Sequence, residues 1–359
     1  MPREEFHDKP YDRGTLTKLK IFEHYVEAWL PVFMSQPEPP FKELHVFDFF
    51  CGPGKDTNDE LGSPLRILRQ FQKYQVAPLA GWNGVVKTVH FFDREVQKVG
   101  ALRETVGTEK LGLSGVNLDI EAYEFTHALA KFGTVFKNPR AAKLLIIDQF
   151  GVDAVSDEVF LKLISFPTTD FIFFLSSSTL HRFRDNPAIK QKIPNIDDSY
   201  HVHRAAFGYY KDLIPSDADV FLGQFSIRKR SNIYGLIFGS QHPLGIHKFL
   251  QVAWKNDKIA GEANFDVERE NVGQHELLLG FDEMKPRKIQ NFEEALESAL
   301  RVQQFGTEAD IIRFCIEAGM TAKHAEPVIA RLKKEKVFTA DFRVPNVRNT
   351  KDPRPIIYP

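Results

Sequence analysis

Acidic residues and glycines recur where predicted β-strands end, and their spacing suits ligand binding. The segment HVFDFFCGPG, residues 45–54, places Asp48 in an apolar run that ends at Gly52 and Gly54. Glycines at such a turn let backbone N–H groups approach a ligand without a Cβ atom in the way, and the next helix N-terminus adds a fixed dipole. A tight structural turn would use the same residues. The loop alone therefore leaves a binding site and a turn equally open.

Three further acids follow later apolar runs. Asp93 ends HFFD, Asp119 ends VNLD and Asp148 ends LLIID, so each is predicted at the carboxyl end of a strand. Ligands of open α/β sheets bind at that edge, where a carboxylate can accept hydrogen bonds from ribose hydroxyls. Each acid could instead cap the following helix, but four such caps in a row are less expected than one ligand-binding edge.

The elements that would position these residues alternate between strand and helix. Strands are predicted at 44–50, 85–92, 113–118, 143–148 and 170–176, and the helices between them at 63–75, 94–105, 121–135 and 156–165. Runs such as LLII and FIFFL are typical of parallel strands covered by helices on both faces. The next two strands, DVFLGQFSI and NIYGLIFGS, are separated by four residues, which forces an antiparallel pair. The predicted fold class is α/β, a Rossmann-like sheet of parallel strands with a terminal antiparallel hairpin.

Helical segments flank this core on both sides. Residues 15–34 carry apolar side chains at helical spacing, and Thr15 is the predicted N-cap. Near the other end, three predicted helices (292–303, 308–318 and 322–335) precede a β-rich segment, which is the winged-helix pattern. The predicted divisions are an N-terminal helical segment 1–40, a Rossmann-like domain 41–255, a connecting segment 256–290 and a winged-helix domain 291–359.

Basic residues are concentrated locally in a chain that is close to neutral. The 359 residues include 47 Lys and Arg against 48 Asp and Glu, whereas residues 321–359 contain nine basic and four acidic residues. Contacts with nucleic acid would thus need a local patch. The candidates are Arg228, Lys229 and Arg230 in the hairpin turn and Arg331, Lys333 and Lys334 on the third C-terminal helix. A solvated hairpin turn and a protein-docking winged helix remain open as alternatives.

Cysteine content and hydropathy indicate the class of protein. Cys51 and Cys315 are the only cysteines, so neither a disulfide framework nor a thiolate metal site is expected. The N-terminal residues lack a signal-peptide pattern, and no apolar run approaches the ~20 residues that span a bilayer. We expect a cytoplasmic protein with no membrane contact.

Two motifs resemble those of S-adenosylmethionine-dependent methyltransferases. DFFCGPG resembles their glycine-rich cofactor loop, and IIDQFG resembles their fourth-strand motif. The order VFDFFCGPG, GSPLRIL, FFDRE, IIDQFG and NIYGLIFGSQHPLG resembles, more narrowly, the three-Cys-motif partner proteins, a bacterial family, over residues from about 10 to 255. The sheet of these methyltransferases ends with an antiparallel strand after five parallel ones, which agrees with the predicted hairpin.

The resemblance implies S-adenosylmethionine as cofactor and a role for each matched residue. Asp48 belongs to the cofactor loop, Gly52 and Gly54 would lie against the methionine and ribose, Asp93 would bind the ribose, and Asp119 would lie near the adenine. Asp148, Gln149 and Phe150 would face the transferred methyl group. In amino-methyltransferases of nucleic acids, proline usually stands where this chain has Gln149, and the aromatic residue comes one place later.

Two functions follow from these matches. The first is a methyltransferase that acts on nucleic acid or a nucleotide-like target, which the winged helix would present. The second is a non-catalytic, methyltransferase-like scaffold that binds a neighbouring enzyme or nucleic acid. Gln149 favours the scaffold, whereas Gly52, Gly54 and Asp93 favour the enzyme because a scaffold needs no cofactor loop.

Overall fold

The computed structural model of the chain describes residues 9–109, 113–149, 155–175, 202–229, 232–265, 285–349 and 352–359. The contacts divide the chain into two compact units, Met1–Gln241 and His242–Pro359. The predicted boundaries after residues 40, 255 and 290 remain predictions. Across the described ranges, no helix combines the length and apolar character needed to cross a bilayer.

A mostly parallel sheet forms the centre of the first unit. Within the described residues it has seven strands: β1 (Glu43–Asp48), β2 (Val86–Asp93), β3 (Val116–Ala122), β4 (Ala141–Ile147), β5 (Thr169–Leu175), β6 (Phe221–Lys229) and β7 (Asn232–Ser240). Their order is β3-β2-β1-β4-β5-β7-β6, in which β1 to β5 are parallel and β7 runs antiparallel to both β5 and β6. The predicted parallel sheet with a terminal antiparallel hairpin is confirmed.

Helices connect the strands. In the first unit they are α1 (Arg13–Met34), α2 (Ser63–Val76), α3 (Val96–Thr108), α4 (Phe125–Lys131), α5 (Gly133–Phe136), α6 (Asp157–Ser165) and α7 (Val202–Asp212). Phenylalanine rings pack between the sheet and the helices on one face, among them Phe47, Phe92, Phe136 and Phe160. Strand β4 is buried at every position, so both of its faces are covered and its near-continuous apolar sequence is required rather than an alternating one.

Two predicted details of these elements are wrong. The N-cap of α1 is Asp12, whose carboxylate accepts the Thr15 N–H at 2.9 Å, so the helix begins two residues before the predicted start. The third strand covers Val116–Ala122 rather than 113–118, which places Asp119 in its middle. Most of the side chains of this strand are exposed or half-buried, because β3 is an edge strand that pairs only with β2.

The N-terminal helix α1 is anchored to the sheet by polar groups as well as by apolar packing. Tyr25 Oη and Trp29 Nε1 both donate to Asp170 Oδ2 of β5, at 2.7 and 2.9 Å. Burial raises the pKa of Asp170 to about 6, although hydrogen bonds from Ser240, Tyr25 and Trp29 offset part of that effect. The carboxylate therefore depends on its donors, and α1 is an integral layer of the first unit.

The second unit is a small helical domain with its own apolar core. It contains α8 (Pro243–Asn256), α9 (Arg287–Arg301), α10 (Glu308–Glu317), a 3₁₀ helix (Ala322–Ala325), α11 (Glu326–Lys334) and the antiparallel pair β8 (Thr339–Ala340) and β9 (Ile356–Ile357). Thr307 caps α10 in a capping box with Asp310. Val328, Ile329 and Leu332 of α11 pack inward, into this core.

A buried carboxylate fixes the C-terminal segment of this unit. Glu308, which is fully buried, accepts hydrogen bonds from Arg354 Nη2 at 2.7 Å, Asn349 Nδ2 at 3.0 Å and the Asn346 backbone N–H at 2.8 Å. The start of α10 is thereby tied to residues about 40 positions later in the chain. This charge-assisted network holds together a segment that contains little regular structure.

We predict that Tyr25→Phe lowers the free energy of unfolding by about 1–2 kcal/mol, because buried Asp170 loses one of its donors. Chemical denaturation followed by circular dichroism measures this change. Tyr74→Phe is the matched control: its hydroxyl donates to the Glu27 carbonyl from a half-buried position, so a smaller loss is expected. Equal losses in the two variants would contradict a special role for Asp170.

Candidate functional site

Three of the four predicted acids meet at one edge of the sheet. Asp48 is the last residue of β1, Asp93 is the last residue of β2, and Asp148 directly follows β4. The register pairs Asp48 with Phe91 and with Ile146, so Asp93 and Asp148 each lie two residues beyond a partner of Asp48. Because strand side chains alternate with a period of two, all three carboxylates lie on the same face. All three are buried.

Asp119 is not part of this group. Its register partner on β2 is His90, and His90 Nδ1 lies 2.9 Å from Asp119 Oδ2. His90 Nε2 lies 3.1 Å from His45 Nδ1, which continues the polar row onto β1. These residues lie on the opposite sheet face from Asp48, because His90 pairs with Phe47, which is one position before Asp48 on β1. The predicted position of Asp119 at a strand end is therefore wrong, and its role near an adenine stays a prediction.

The glycine-containing loop is tied directly to the edge. The Gly52 N–H donates to Asp93 Oδ2 at 3.2 Å, and the Cys51 N–H donates to the Phe92 carbonyl at 2.9 Å. Gly52 and Gly54 have φ values of 61° and 92°, a region that favours glycine. The Cβ atom of any other residue at Gly54 would lie 2.8 Å from Leu102 Cδ1. Both glycines are thus required by the backbone itself, as the turn interpretation predicts.

Asp56 organises the second half of this loop. Its Oδ1 accepts the backbone N–H groups of Asn58 and Glu60, at 2.8 and 2.9 Å. Its Oδ2 accepts the Tyr11 N–H at 2.6 Å, which attaches the segment before α1 to the loop. A Cβ atom at Gly62 would lie 3.2 Å from the Tyr11 hydroxyl. The N-terminal segment therefore packs directly against the loop.

Asp48 carries an unsatisfied buried oxygen. Its Oδ1 accepts the Phe50 N–H at 3.2 Å, whereas its Oδ2 has no hydrogen-bond partner among the described residues. Burial raises the pKa of Asp48 to about 7, helped by the negative charges of Asp148 and Asp93 and opposed by hydrogen bonds from the Ser63 side chain and the Phe50 N–H. A buried carboxylate oxygen without a donor is costly, so a proton or a ligand donor is expected there.

Asp148 has a buried counter-ion that comes from α1. Lys18 Nζ lies 2.6 Å from each of the two carboxylate oxygens, and the two side chains are only 4% and 10% exposed. The same ammonium group lies 4.6 Å from the centre of the Phe174 ring. The predicted catalytic carboxylate therefore forms an ion pair through both of its oxygens with Lys18, 130 positions earlier in the chain.

The other residues of the fourth-strand motif are less informative. Gln149 is buried, and its Nε2 donates to the Phe174 carbonyl at 3.2 Å, so its side chain joins the ends of β4 and β5. Phe150 lies outside the described residues. In the part of the chain that the structure describes, no group of three or more His, Cys, Asp and Glu residues could hold a metal ion.

Asp93 combines loop fixation with a capacity for further bonds. Its Oδ1 accepts the Glu95 N–H at 3.0 Å, in addition to the bond from Gly52 to Oδ2. Burial raises its pKa, and the N–H groups of Glu95 and Gly52 together with the charge of Lys98 counteract that effect. A carboxylate has about four lone-pair positions, of which these two bonds occupy half. The remaining positions suit the hydroxyls of a ribose.

The basic candidates occupy different environments. Lys229 pairs with Asp12 at 3.3 Å, and burial lowers its pKa, so it links the hairpin to the start of α1. Lys333 donates to the Ala340 and Phe342 carbonyls, at 2.6 and 3.1 Å, and Arg331 pairs with Glu297. Of the remaining basic candidates, Arg228 and Lys334 are exposed, and Arg230 lies outside the described residues.

Two residues of the edge were not predicted from the sequence, Lys18 and Tyr11. A signal for Lys18 existed, because it lies three positions after Thr15 and four before Phe22, on the apolar stripe of α1. A buried lysine needs an acid or several carbonyl oxygens to accept its hydrogen bonds. No comparable signal marks Tyr11, whose contact with Asp56 is made through its backbone.

Comparison with known protein families and with curated proteins finds no match. Among solved structures, the chain is similar to a putative methyltransferase from Streptococcus mutans in complex with SAH (10% identity, TM-score 0.32, 64% of this chain and 100% of that chain). An O-methyltransferase from Bacillus cereus in complex with SAH gives 11% identity and a TM-score of 0.35, over 66% of this chain and 83% of that one. An rRNA methylase from Streptococcus thermophilus gives 10% identity and a TM-score of 0.31, over 65% of this chain and 98% of that one. Likenesses this weak say nothing of the ligand or reaction of this chain.

We predict that Asp48→Asn changes the pH dependence of stability. Folded Asp48 keeps its proton up to a pH of about 7, whereas the unfolded chain loses it near pH 4, so folding binds a proton in between. Stability of the wild type should fall as pH rises through this window, by roughly 3 kcal/mol between pH 5 and pH 8 relative to the variant.

Denaturation of the ligand-free protein at several pH values measures the difference. Asp59→Asn is the control, because the Asp59 side chain is 89% exposed. Parallel stability profiles for the wild type and Asp48→Asn would contradict the assignment of a buried proton to Asp48.

Proposed function

We propose that this protein binds S-adenosylmethionine at the Asp48, Asp93 and Asp148 edge and transfers its methyl group to a nucleic acid or a nucleotide-like target. The observation that carries the proposal is the convergence of three buried carboxylates with a glycine loop at the carboxyl ends of β1, β2 and β4. That is where open α/β sheets bind their ligands. The sheet order and the antiparallel β7 agree with the methyltransferase resemblance of the sequence.

The residues at this edge fit the cofactor. S-adenosylmethionine brings an ammonium group and two ribose hydroxyls, all of which donate hydrogen bonds. Asp48 Oδ2 is a buried acceptor that lacks a donor among the described residues, and Asp93 retains lone pairs beyond its bonds to Gly52 and Glu95. Asp48, Gly52, Gly54 and Asp93 are therefore the residues assigned to hold the cofactor.

The chain would contribute alignment rather than an electrophile. When bound, S-adenosylmethionine would supply an electrophilic methyl group on a sulfonium, whose sulfur would keep the electron pair as the leaving group. Asp148 is assigned to accept a hydrogen bond from the target N–H or O–H and so to orient its lone pair. The proton displaced from the target leaves to solvent, and the products are S-adenosylhomocysteine and the methylated target.

A specific observation favours the second candidate function, a methyltransferase-like scaffold. Both Asp148 oxygens already contact Lys18, and the Gln149 amide donates to the Phe174 carbonyl. Each of the two residues therefore has a structural partner that explains its presence without catalysis. A scaffold of this kind, bound to a neighbouring protein or nucleic acid, would keep the fold and lose methyl transfer.

We predict that the wild type binds S-adenosylmethionine and S-adenosylhomocysteine, and that Asp93→Ala weakens both by at least about tenfold through loss of ribose contacts and of the Gly52 tether. Isothermal titration measures both affinities. Asp148→Ala should keep binding of the neutral S-adenosylhomocysteine while transfer is lost. No heat from either ligand with well-folded wild type would refute the cofactor site, and binding with no transfer to any nucleic acid or nucleotide would support the scaffold.

We predict that Lys334→Ala weakens polynucleotide binding and reduces the slope of log affinity against log salt by about one, because an exposed phosphate contact is lost. Fluorescence anisotropy with a labelled oligonucleotide at several salt concentrations gives both quantities. Lys20→Ala is the control, since Lys20 is exposed on α1. An unchanged slope in the Lys334 variant would assign this face of α11 to protein contacts.

A further inference from the structure

Lys18 is a buried cation at the edge where the target would be methylated. It lies on α1, outside the parallel sheet, and its side chain is 4% exposed. Taking an ammonium group out of water costs several kcal/mol unless it is paired. Its pairing with both oxygens of Asp148 gives that compensation and also determines the charge that Asp148 presents.

The position of Lys18 is fixed by contacts of the residues that precede and follow it in the chain. Before it, the Tyr11 N–H is held by Asp56, and Asp12 is paired with Lys229. After it, Tyr25 and Trp29 are hydrogen-bonded to Asp170. Helix α1 and the segment before it are therefore held at the glycine loop, at the hairpin and at β5. Lys18 is a fixed part of the edge.

We propose that Lys18 is a specificity-determining residue that makes this a site for a neutral N–H or O–H donor and against a cationic amine. The inference rests on the proposed function and concerns the charge of the acceptor side of that site. A lone buried carboxylate attracts any cation, but the Lys18–Asp148 pair has no net charge. Its carboxylate still has lone pairs and can only accept, so it selects donors.

Charge neutrality distinguishes two classes of methyl acceptor. Aliphatic amines are protonated near neutral pH, and a net negative site would concentrate them. Exocyclic amines of nucleobases and hydroxyl groups are neutral donors, which lose nothing when the site is neutral. The Lys18–Asp148 pair thus favours nucleobase-like or hydroxyl targets over aliphatic amines. It also positions the carboxylate, because two contacts to one ammonium restrict its rotation.

Two cofactor analogues test this without any known target. Sinefungin carries an ammonium-bearing carbon in place of the methylated sulfonium, whereas S-adenosylhomocysteine has a neutral thioether there. The ratio of their affinities at pH 8, measured by isothermal titration, reports the charge near the reacting atom. Effects on folding or on the rest of the cofactor site change both affinities together and leave the ratio unaltered.

We expect the two single variants to shift this ratio in opposite directions. Lys18→Met leaves the negative charge of Asp148 and should favour sinefungin by about tenfold relative to the wild type. Asp148→Asn leaves the positive charge of Lys18 and should disfavour it by about tenfold. The double variant Lys18→Met/Asp148→Asn and the charge-conserving Lys18→Arg should both return near the wild-type ratio.

The controls separate this inference from the proposed function. Lys20→Met is the same substitution on an exposed position of α1 and should not alter the ratio. If Lys18→Met fails to fold, Asp148→Asn should still disfavour sinefungin, and the double variant should restore the wild-type ratio. Wild-type binding of both analogues with ratios unchanged in Lys18→Met and Asp148→Asn would overturn the inference alone. Failure of the wild type to bind either analogue would overturn the proposed function together with it.

Discussion

The burial of several carboxylates at one edge of the sheet is the constraint on which the rest of the first unit depends. A charge removed from water must be paired, hydrogen-bonded or neutralised by a proton. Each of these three forms of compensation occurs at this edge. Lys18 pairs with Asp148, and two backbone N–H groups donate to Asp93. Burial raises the pKa of Asp48, so that it holds a proton up to about pH 7. The interactions of Asp93 and Asp148 fix the positions of the glycine loop and α1.

The N-terminal helix is consequently part of the site as well as part of the packing. Its buried stripe supplies apolar contacts to the sheet, and the same stripe carries Lys18 to Asp148. The segment just before it closes against the loop through the bond from Tyr11 to Asp56. A helix that precedes the first strand thus completes an edge formed by β1, β2 and β4. The geometry of that edge cannot change without movement of α1.

Local patterns were sufficient to predict most of the sheet. The central strands carry continuous apolar runs because both of their faces are covered, and the short connection between β6 and β7 allowed only an antiparallel pair. The prediction was wrong at β3, where an edge strand has exposed side chains and no apolar run to mark its end. That one shifted boundary moved Asp119 from the middle of a strand to a predicted strand end.

The site was harder to predict because its decisive contacts are long-range. Three acids could be placed at one edge from their positions after apolar runs, but the partner of Asp148 lies 130 residues away on a separate helix. The spacing of Lys18 within an apolar stripe predicts that its side chain is buried, and leaves open which acceptors it meets. The tethering roles of Gln149 and Lys229 are likewise set by the tertiary structure.

The energetics of this edge argue for a ligand. A buried ion pair is weak evidence for stability, since well-packed apolar residues of the same volume often stabilise a fold equally or better. Asp48 goes further, because its Oδ2 is buried without a donor among the described residues and its charge is opposed by two neighbouring acids. Folding alone requires none of this. These carboxylates cost stability, share one face and lie beside a glycine loop. A bound molecule whose donors satisfy them explains all three features. Lys18 then limits how much positive charge that molecule can bring to Asp148.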